Sequence, residues 1–327
     1  MQASKPSFRQ LLMLILTVIL LASCSRSISS DTVNNGYENE ISVAASNTGP
    51  MPERTFGILY PMAHPFYENI TEQMEEVAKQ INIQLIVKAP AEWNAEQQMR
   101  MLETMIKQKV SGIAISPIDP VALAPLINKA VAEGIPVICF EEDVPQSQRL
   151  SFIGANPFQE GKLMGEIIER RLKGNGMIMI QGGLKNSLRE RVRLDGMLDY
   201  LHAHSGIDIL EVRYNQGNSE RALTNLEKMI DDHPHFDALV SLDMISSSTS
   251  ILVWKAQGLK RTALTFGLTP EVKEAVYNGQ IEAVISGKEQ AIGLHIIEQL
   301  LQASLGKPIP PVVNLEISEL NRNNLFD

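Results

Sequence analysis

The chain has 327 residues, with 38 acidic against 29 basic side chains, a formal charge of −9 and 44% hydrophobic residues. That length suffices for two ordinary domains or one large α/β unit. The acid excess, without any long basic run, argues against a nucleic-acid partner. An aromatic content of 5% with little strict alternation disfavours a β-sandwich or outer-membrane barrel, and two cysteines cannot frame a disulfide protein or a four-thiolate zinc site.

Residues 1–23 read as an export signal. Lys5 and Arg9 precede an apolar run from Leu11 to Ala22, broken only by Thr17 and followed at once by Ser23-Cys24. The run is short for a bilayer span but has the length of a signal-peptide core. Leu21-Ala22-Ser23-Cys24 resembles the bacterial lipobox, which implies cleavage before Cys24 and lipid on its thiol; an ordinary signal peptide that happens to precede a cysteine is the alternative. Cleavage removes two basic residues and no acid, so the mature chain is more acidic still. Residues 24–53 are rich in Ser, Asn, Gly and acids with no apolar period, the composition of a flexible tether.

From Phe56 the sequence alternates strands and helices. Strands are predicted at Phe56–Tyr60, Leu85–Val87, Gly112–Ile115 and Val137–Phe140. Between them lie helices carrying Ile70, Met74, Val77 and Ile81 on one face, then near Glu96–Gln108 and Pro120–Glu133. Cys139 falls in the fourth strand and reads as a buried thiol. The pattern restarts with helices at Phe158–Leu172, Ser187–Ala203, Ser219–Asp232 and after Asp243. Strands fit Met177–Ile180, Ile209–Arg213, Ala238–Leu242, Ala263–Phe266 and Ala283–Ile285. A last helix over Glu289–Ala303 and a closing strand over Val312–Ile317 complete the chain. Short β-branched runs separated by helices predict parallel sheets covered on both faces. The number of units favours two doubly wound domains over one very wide sheet, with a single eight-unit barrel as the alternative.

In such sheets ligands sit beyond the carboxyl ends of the strands. The candidates there are Tyr60, His64, Phe66 and Tyr67 after the first strand, Ser116-Pro117-Ile118-Asp119 after the third, and Glu141-Glu142-Asp143 after the fourth. In the second half they are the helix bearing Arg189 and Arg191 after Gly182-Gly183, and Asp243. Aromatic rings with carboxylates and a guanidinium suit a small polar ligand with an apolar face. Each residue also has a plainer reading. Asp119 before Pro120 fits a helix N-cap, His64 a loop cap, Phe66 and Tyr67 helix packing, and the arginines solvated charge. Arg191 is the arginine expected to face the cleft, with Arg189, about 200° away around the helix, facing elsewhere.

Enzyme signatures are weak. Gly182-Gly183 lacks a Walker lysine and a Gly-x-Gly-x-x-Gly pattern. The His202/His204 and His233/His235 pairs diverge on a helix and predict no metal site. Ser246 to Ser250 has no placed base, and no carboxylate spacing selects an acid/base pair. No cofactor is expected.

From about Thr55 to Asn314 the chain resembles the periplasmic sugar-binding proteins of ABC importers, of the ribose/galactose type, whose core is shared with LacI-type regulators. The motifs, in order, are His64-Pro65-Phe66-Tyr67, Ser116-Pro117-Ile118-Asp119, Gly134-Ile135-Pro136-Val137, Ile153-Gly154-Ala155-Asn156, Arg191-x-x-x-Asp195-Gly196, Leu242-Asp243-Met244 and Phe266-Gly267-Leu268-Thr269-Pro270-Glu271. The resemblance implies two α/β lobes joined by three hinge strands: residues 54–143 plus 288–308, and residues 144–287 plus 309–327. It implies that Phe66 and Tyr67 stack on the ligand ring while Asp119, Glu141 and Arg191 hydrogen-bond it, with His64 in place of an asparagine and Asp243 on the second lobe. The departures are Leu242 for an asparagine, Gly267 for an aspartate, a missing aromatic near Gly217 and glycine at Gly287 for a glutamine. They remove polar partners of an ordinary pyranose and point to a modified sugar or glycoside.

The function expected from this reading is a non-enzymatic, monomeric lipoprotein on the outer face of the cell membrane of a Gram-positive cell. It would capture a small carbohydrate-like ligand and hand it to an ABC permease. A co-receptor for a membrane sensor kinase or chemoreceptor is the alternative, and an exported enzyme acting on a sugar derivative the more distant one.

Overall fold

The computed structural model describes residues 54–288 and 291–326. The signal segment 1–23, the 24–53 tether and the expected lipidation site Cys24 lie outside the described residues, as does the expected helix start at Glu289.

Among the described residues the chain forms twelve strands and nine helices. The first run is β1 (Arg54–Leu59), α1 (Pro65–Gln80), β2 (Ile83–Lys88), α2 (Ala95–Lys107), β3 (Gly112–Ile115), α3 (Pro120–Ala132), β4 (Val137–Phe140) and β5 (Ser151–Gly154). The second is α4 (Pro157–Leu172), β6 (Asn175–Gly182), α5 (Leu188–His204), β7 (Gly206–Tyr214), α6 (Ser219–Asp232), β8 (Ala238–Ser241), α7 (Met244–Gln257), β9 (Thr262–Phe266), α8 (Pro270–Asn278) and β10 (Ala283–Ser286). The chain ends with α9 (Ile292–Ser304), β11 (Val312–Asn314) and β12 (Ser318–Asn321).

These strands make two six-stranded sheets, in the orders β11-β5-β4-β3-β1-β2 and β12-β10-β9-β8-β6-β7. All described pairings are parallel except β10 with β12. Two doubly wound sheets are thus present, and the single-barrel alternative falls.

Why the sheets need cover on both faces is visible in the side chains. Successive strand residues point to opposite faces, and in β8 Ala238 and Val240 pack in one core while Leu239 packs in the other. In β10 Ala283 and Ile285 alternate with Val284 in the same way. Helices on both sides bury these residues, so each short strand reads as a continuous apolar run. Cys139 is fully buried in β4, as expected.

Helix starts follow local chemistry. Asn94, Asp119, Asn156, Ser187, Asn218, Asp243 and Thr269 each cap a helix through a side-chain oxygen, and proline occupies the first turn of α1, α3, α4 and α8.

Three expectations need correction. Residues 144–154 belong with the first sheet, not the second lobe, because β5 pairs in parallel with β4 (Ile138↔Ser151) and with β11. The segment expected as one strand over Val312–Ile317 is split: β11 ends at Asn314 in the first sheet, and β12 starts at Ser318 in the second. Helix α8 adds an element to the predicted series; Thr269 accepts from the Val272 amide and Pro270 starts the first turn. The chain therefore passes between the sheets after Gly154, after Ser286 and after Asn314.

Candidate functional site: a cavity between the two sheets

Each sheet reverses its strand order once, with β1 between β2 and β3, and β6 between β7 and β8. Loops leaving strands on either side of such a reversal diverge and leave a crevice at the carboxyl ends. The loops after β1, β3 and β4 meet those after β6, β8 and β9 around one cavity of about 100 Å3. By that measure one water occupies ~10–15 Å3, so the space suits a small ligand or several waters.

From the first lobe the cavity is lined by Pro61, Phe66, Tyr67, Trp93, Ser116, Pro117, Ile118, Glu141 and Glu142. Phe66 and Tyr67 are brought there by the first turn of α1. Tyr67 stacks on Tyr60 with centroids 4.5 Å apart and meets Phe66 edge-on at 5.1 Å. Its hydroxyl donates to Glu141 Oε2 at 2.8 Å. Burial and the Glu141 charge push the Tyr67 phenol well above its usual range, which keeps it a donor. Gln98, fully buried on α2, fixes two of these loops: its amide donates to the Tyr60 and Ser116 carbonyls and accepts from the Ile118 amide.

The second lobe contributes Leu184, Ser187, Arg189, Glu190, Arg193, Leu242, Asp243, Met244, Phe266 and Gly267. Arg193 donates to Glu160 Oε2 at 2.7 Å and to the Leu242 carbonyl at 2.8 Å, and its guanidinium lies 4.0 Å from the Phe266 ring centroid. Arg189 reaches Glu160 Oε1 at 3.3 Å and lies 3.8 Å from Glu141 Oε1. Burial pushes the Glu160 carboxyl up, but the two guanidiniums outweigh it and hold the group below the usual range.

The two lobes also bond directly. Glu142 accepts from Ser187 Oγ at 2.7 Å and from the Arg189 amide at 3.2 Å, seating a first-lobe carboxylate on the N-terminus of α5.

The expected site residues divide into two groups. Phe66, Tyr67, Glu141 and Asp243 line the cavity. His64, Asp119 and Arg191 do not. His64 Nδ1 accepts from the Phe66 amide and caps α1; burial lowers its pKa, which suits a neutral acceptor. Asp119 Oδ1 accepts from the Val121 and Ala122 amides at 3.0 Å and caps α3. Both adopt the plainer, capping role.

The expectation for Arg191 is corrected outright. Helix α5 starts at Leu188, and Arg189 and Arg193, four residues apart, share the face that meets the cavity, whereas Arg191 is exposed. The 200° argument was sound, but its starting residue was wrong.

Sequence reasoning left aside Trp93, Glu190 and Arg193, which line the cavity, and turned Arg189 away from it. Trp93 follows β2 and lies against Gly217 of the other lobe, where a glycine Cβ would come within 2.9 Å of it. An aromatic ring thus reaches Gly217 from across the cleft, and the position of Trp93 after a strand end is the available signal. Glu190, Arg189 and Arg193 were legible only once the helix register was known. Gly267 lines the cavity, and a Cβ there would face open space.

Residues 57–308, more than half of the chain, match the family described as a periplasmic binding protein domain. The chain belongs to the periplasmic binding protein family. It is 19% identical over 270 residues to the ribose import binding protein of Bacillus subtilis, covering 82% of this chain and 88% of that one. It is 28% identical over 156 residues to the D-ribose/D-allose-binding protein of Pseudomonas aeruginosa, and spans only 49% of that protein and 46% of itself in doing so. The fold matches the crystal structure of a glucose-galactose binding protein from Geobacillus stearothermophilus with a TM-score of 0.79 at 20% identity, over 84% of this chain and 100% of that one. A solute binding protein from Burkholderia graminis in complex with D-arabinose gives 0.79 at 21% identity, over 84% and 96%. No described helix of this periplasmic binding protein is long and apolar enough to cross a membrane.

Proposed function

We propose that the protein is an extracytoplasmic solute-binding lipoprotein that captures a small carbohydrate-like ligand between its lobes and delivers it to an ABC permease. The observation that carries the reading is the cavity itself, built at both strand-order reversals and lined by aromatic rings beside carboxylates and guanidiniums. Rings cover the C–H faces of a sugar while charged groups satisfy its hydroxyls. The relatives named for ribose import and for binding ribose or allose support the ligand class and the transport partner.

The test is a thermal-shift screen of neutral and amino sugars on the mature domain, followed by solution X-ray scattering with each hit. A ligand that binds the folded state raises apparent stability by mass action, and one held between lobes contracts the radius of gyration of any open form. A hit that binds tightly to a ligand-stripped sample without contraction overturns the interlobe site.

Attachment to the outer face of the membrane rests on Leu21-Ala22-Ser23-Cys24. The expected result for Cys24→Ala is a folded body released from the membrane or left unprocessed, read by fractionation. A variant processed and membrane-bound like the parent removes the lipid anchor from the proposal.

A further inference from the structure

The charges around the cavity do not balance. The lining carboxylates are Glu141, Glu142, Glu190 and Asp243, against the guanidiniums of Arg189 and Arg193. Arg193 is held on buried Glu160, and Arg189 reaches both Glu160 and Glu141. Glu142 sits on the N-terminus of α5.

The other two acids stand together. Glu190 accepts from the Gly183 and Leu184 amides at 2.8 and 3.0 Å. Asp243 accepts from the Ile245 and Ser246 amides at 3.0 and 3.2 Å and from Asn215 Nδ2 at 3.3 Å. A side chain starting at Gly183 would meet both, Glu190 Oε1 at 2.9 Å and Asp243 Oδ2 at 3.1 Å. The hydrogen-bond donors to the pair are all neutral, and Arg193, whose charge favours the Glu190 anion, is itself held on Glu160. Two adjacent carboxylates in a confined space disfavour double ionisation, and burial with the Asp243 charge raises Glu190 to about 8. A proton can relieve that repulsion, and so can a cation arriving with the ligand. The aromatic lining of Phe66 and Trp93 is compatible with the same charge.

Resting on the reading of this cavity as the ligand site, we infer that the ligand carries a protonated amine, as an amino sugar does, and that the amine is received by the Glu190–Asp243 pair. An ammonium brings three N–H donors and the missing positive charge, whereas a neutral hydroxyl brings one donor and leaves the repulsion in place. The carboxylates thereby set the preference for a charged over a neutral sugar, and the Arg189 guanidinium donates to the hydroxyl oxygens at the other end.

The experiment is calorimetric titration with matched pairs, D-glucosamine against D-glucose and D-galactosamine against D-galactose. At least one amino sugar is expected to bind about tenfold or more tightly than its neutral parent. Glu190→Gln and Asp243→Asn, each checked for a native melting profile, are expected to bring the two members of that pair within about threefold. Neutral sugars that bind as well as or better than their amines overturn the inference and leave the solute-binding function standing. An amine preference that survives in both folded variants overturns the assignment to this pair. If none of the four binds, the amino-sugar inference is overturned, and the carbohydrate reading stands or falls on the wider thermal-shift screen.

Discussion

Replacing Arg189 with alanine is expected to weaken ligand binding roughly 30-fold to several thousand-fold, while replacing Arg191 leaves it within about threefold. Arg189 lies at the seam of the lobes, near Glu160 on one side and 3.8 Å from Glu141 on the other. Its removal leaves Glu141 in a confined cavity with Glu142, Glu190 and Asp243 and without that facing cation. Truncating one partner of a buried charge pair costs ~2–5 kcal/mol, much of it from the charge left behind. Arg191 is exposed and does not line the cavity. Calorimetric titration of the two variants with the same ligand decides the register of α5 at the site. The reverse order of effects removes Arg189 from binding.

The second large effect concerns stability. Arg193→Met is expected to lower the free energy of unfolding by ~3–5 kcal/mol, the usual cost of stranding one member of a buried ion pair. The Glu160 side chain is 1% exposed and that of Arg193 5%, so water cannot take over the lost partner. Adding Glu160→Leu to the same chain is expected to recover most of the loss, because a buried pair exchanged for apolar groups is often near neutral.

The pH dependence follows from the sign of the shift. In the parent, Glu160 titrates below an unfolded glutamate near ~4.3, so its contribution is present above that value and is lost only as the pH falls through the lower folded value. In Arg193→Met only Arg189 remains to oppose burial, so Glu160 titrates higher than in the parent and the deficit is largest at neutral pH and shrinks as acid protonates the group. Urea unfolding at pH 7 and pH 5 checks both statements. A deficit independent of pH indicates lost packing rather than a stranded charge.

How far the sequence reached depends on the range of the interactions. The strands and most helices were legible because burial on both sheet faces and capping by Asn, Asp, Ser and Thr are written locally. Helix α8 carried the same kind of signal in Thr269-Pro270 and could have been read. The membership of β5 could not, since Ser151–Gly154 is joined to the first sheet by pairing with β4 and β11, the latter more than 150 residues away. Motif resemblance located Phe66, Tyr67, Glu141 and Asp243 at the cavity, because strand-end positions fix them. It failed for Arg191, where the first residue of the helix decides which side chains turn inward. Trp93 and Glu142 act across the cleft, and no local pattern encodes a partner on the opposite lobe.

The carboxylate of Glu142 on the N-terminus of α5 has a consequence for how tightly any ligand is held. Ser187 and the Arg189 amide bind it across the lobes, so this contact adds to the free energy of closure alongside whatever a ligand contributes. The observed dissociation constant is the intrinsic one divided by the competent fraction of molecules, so weakening this contact at position 142 lowers affinity through the closed fraction, in addition to any contact Glu142 makes with a ligand from the cavity wall. A partner that empties the cavity has the same handle: prising Ser187 from Glu142 lowers retention whatever the cargo.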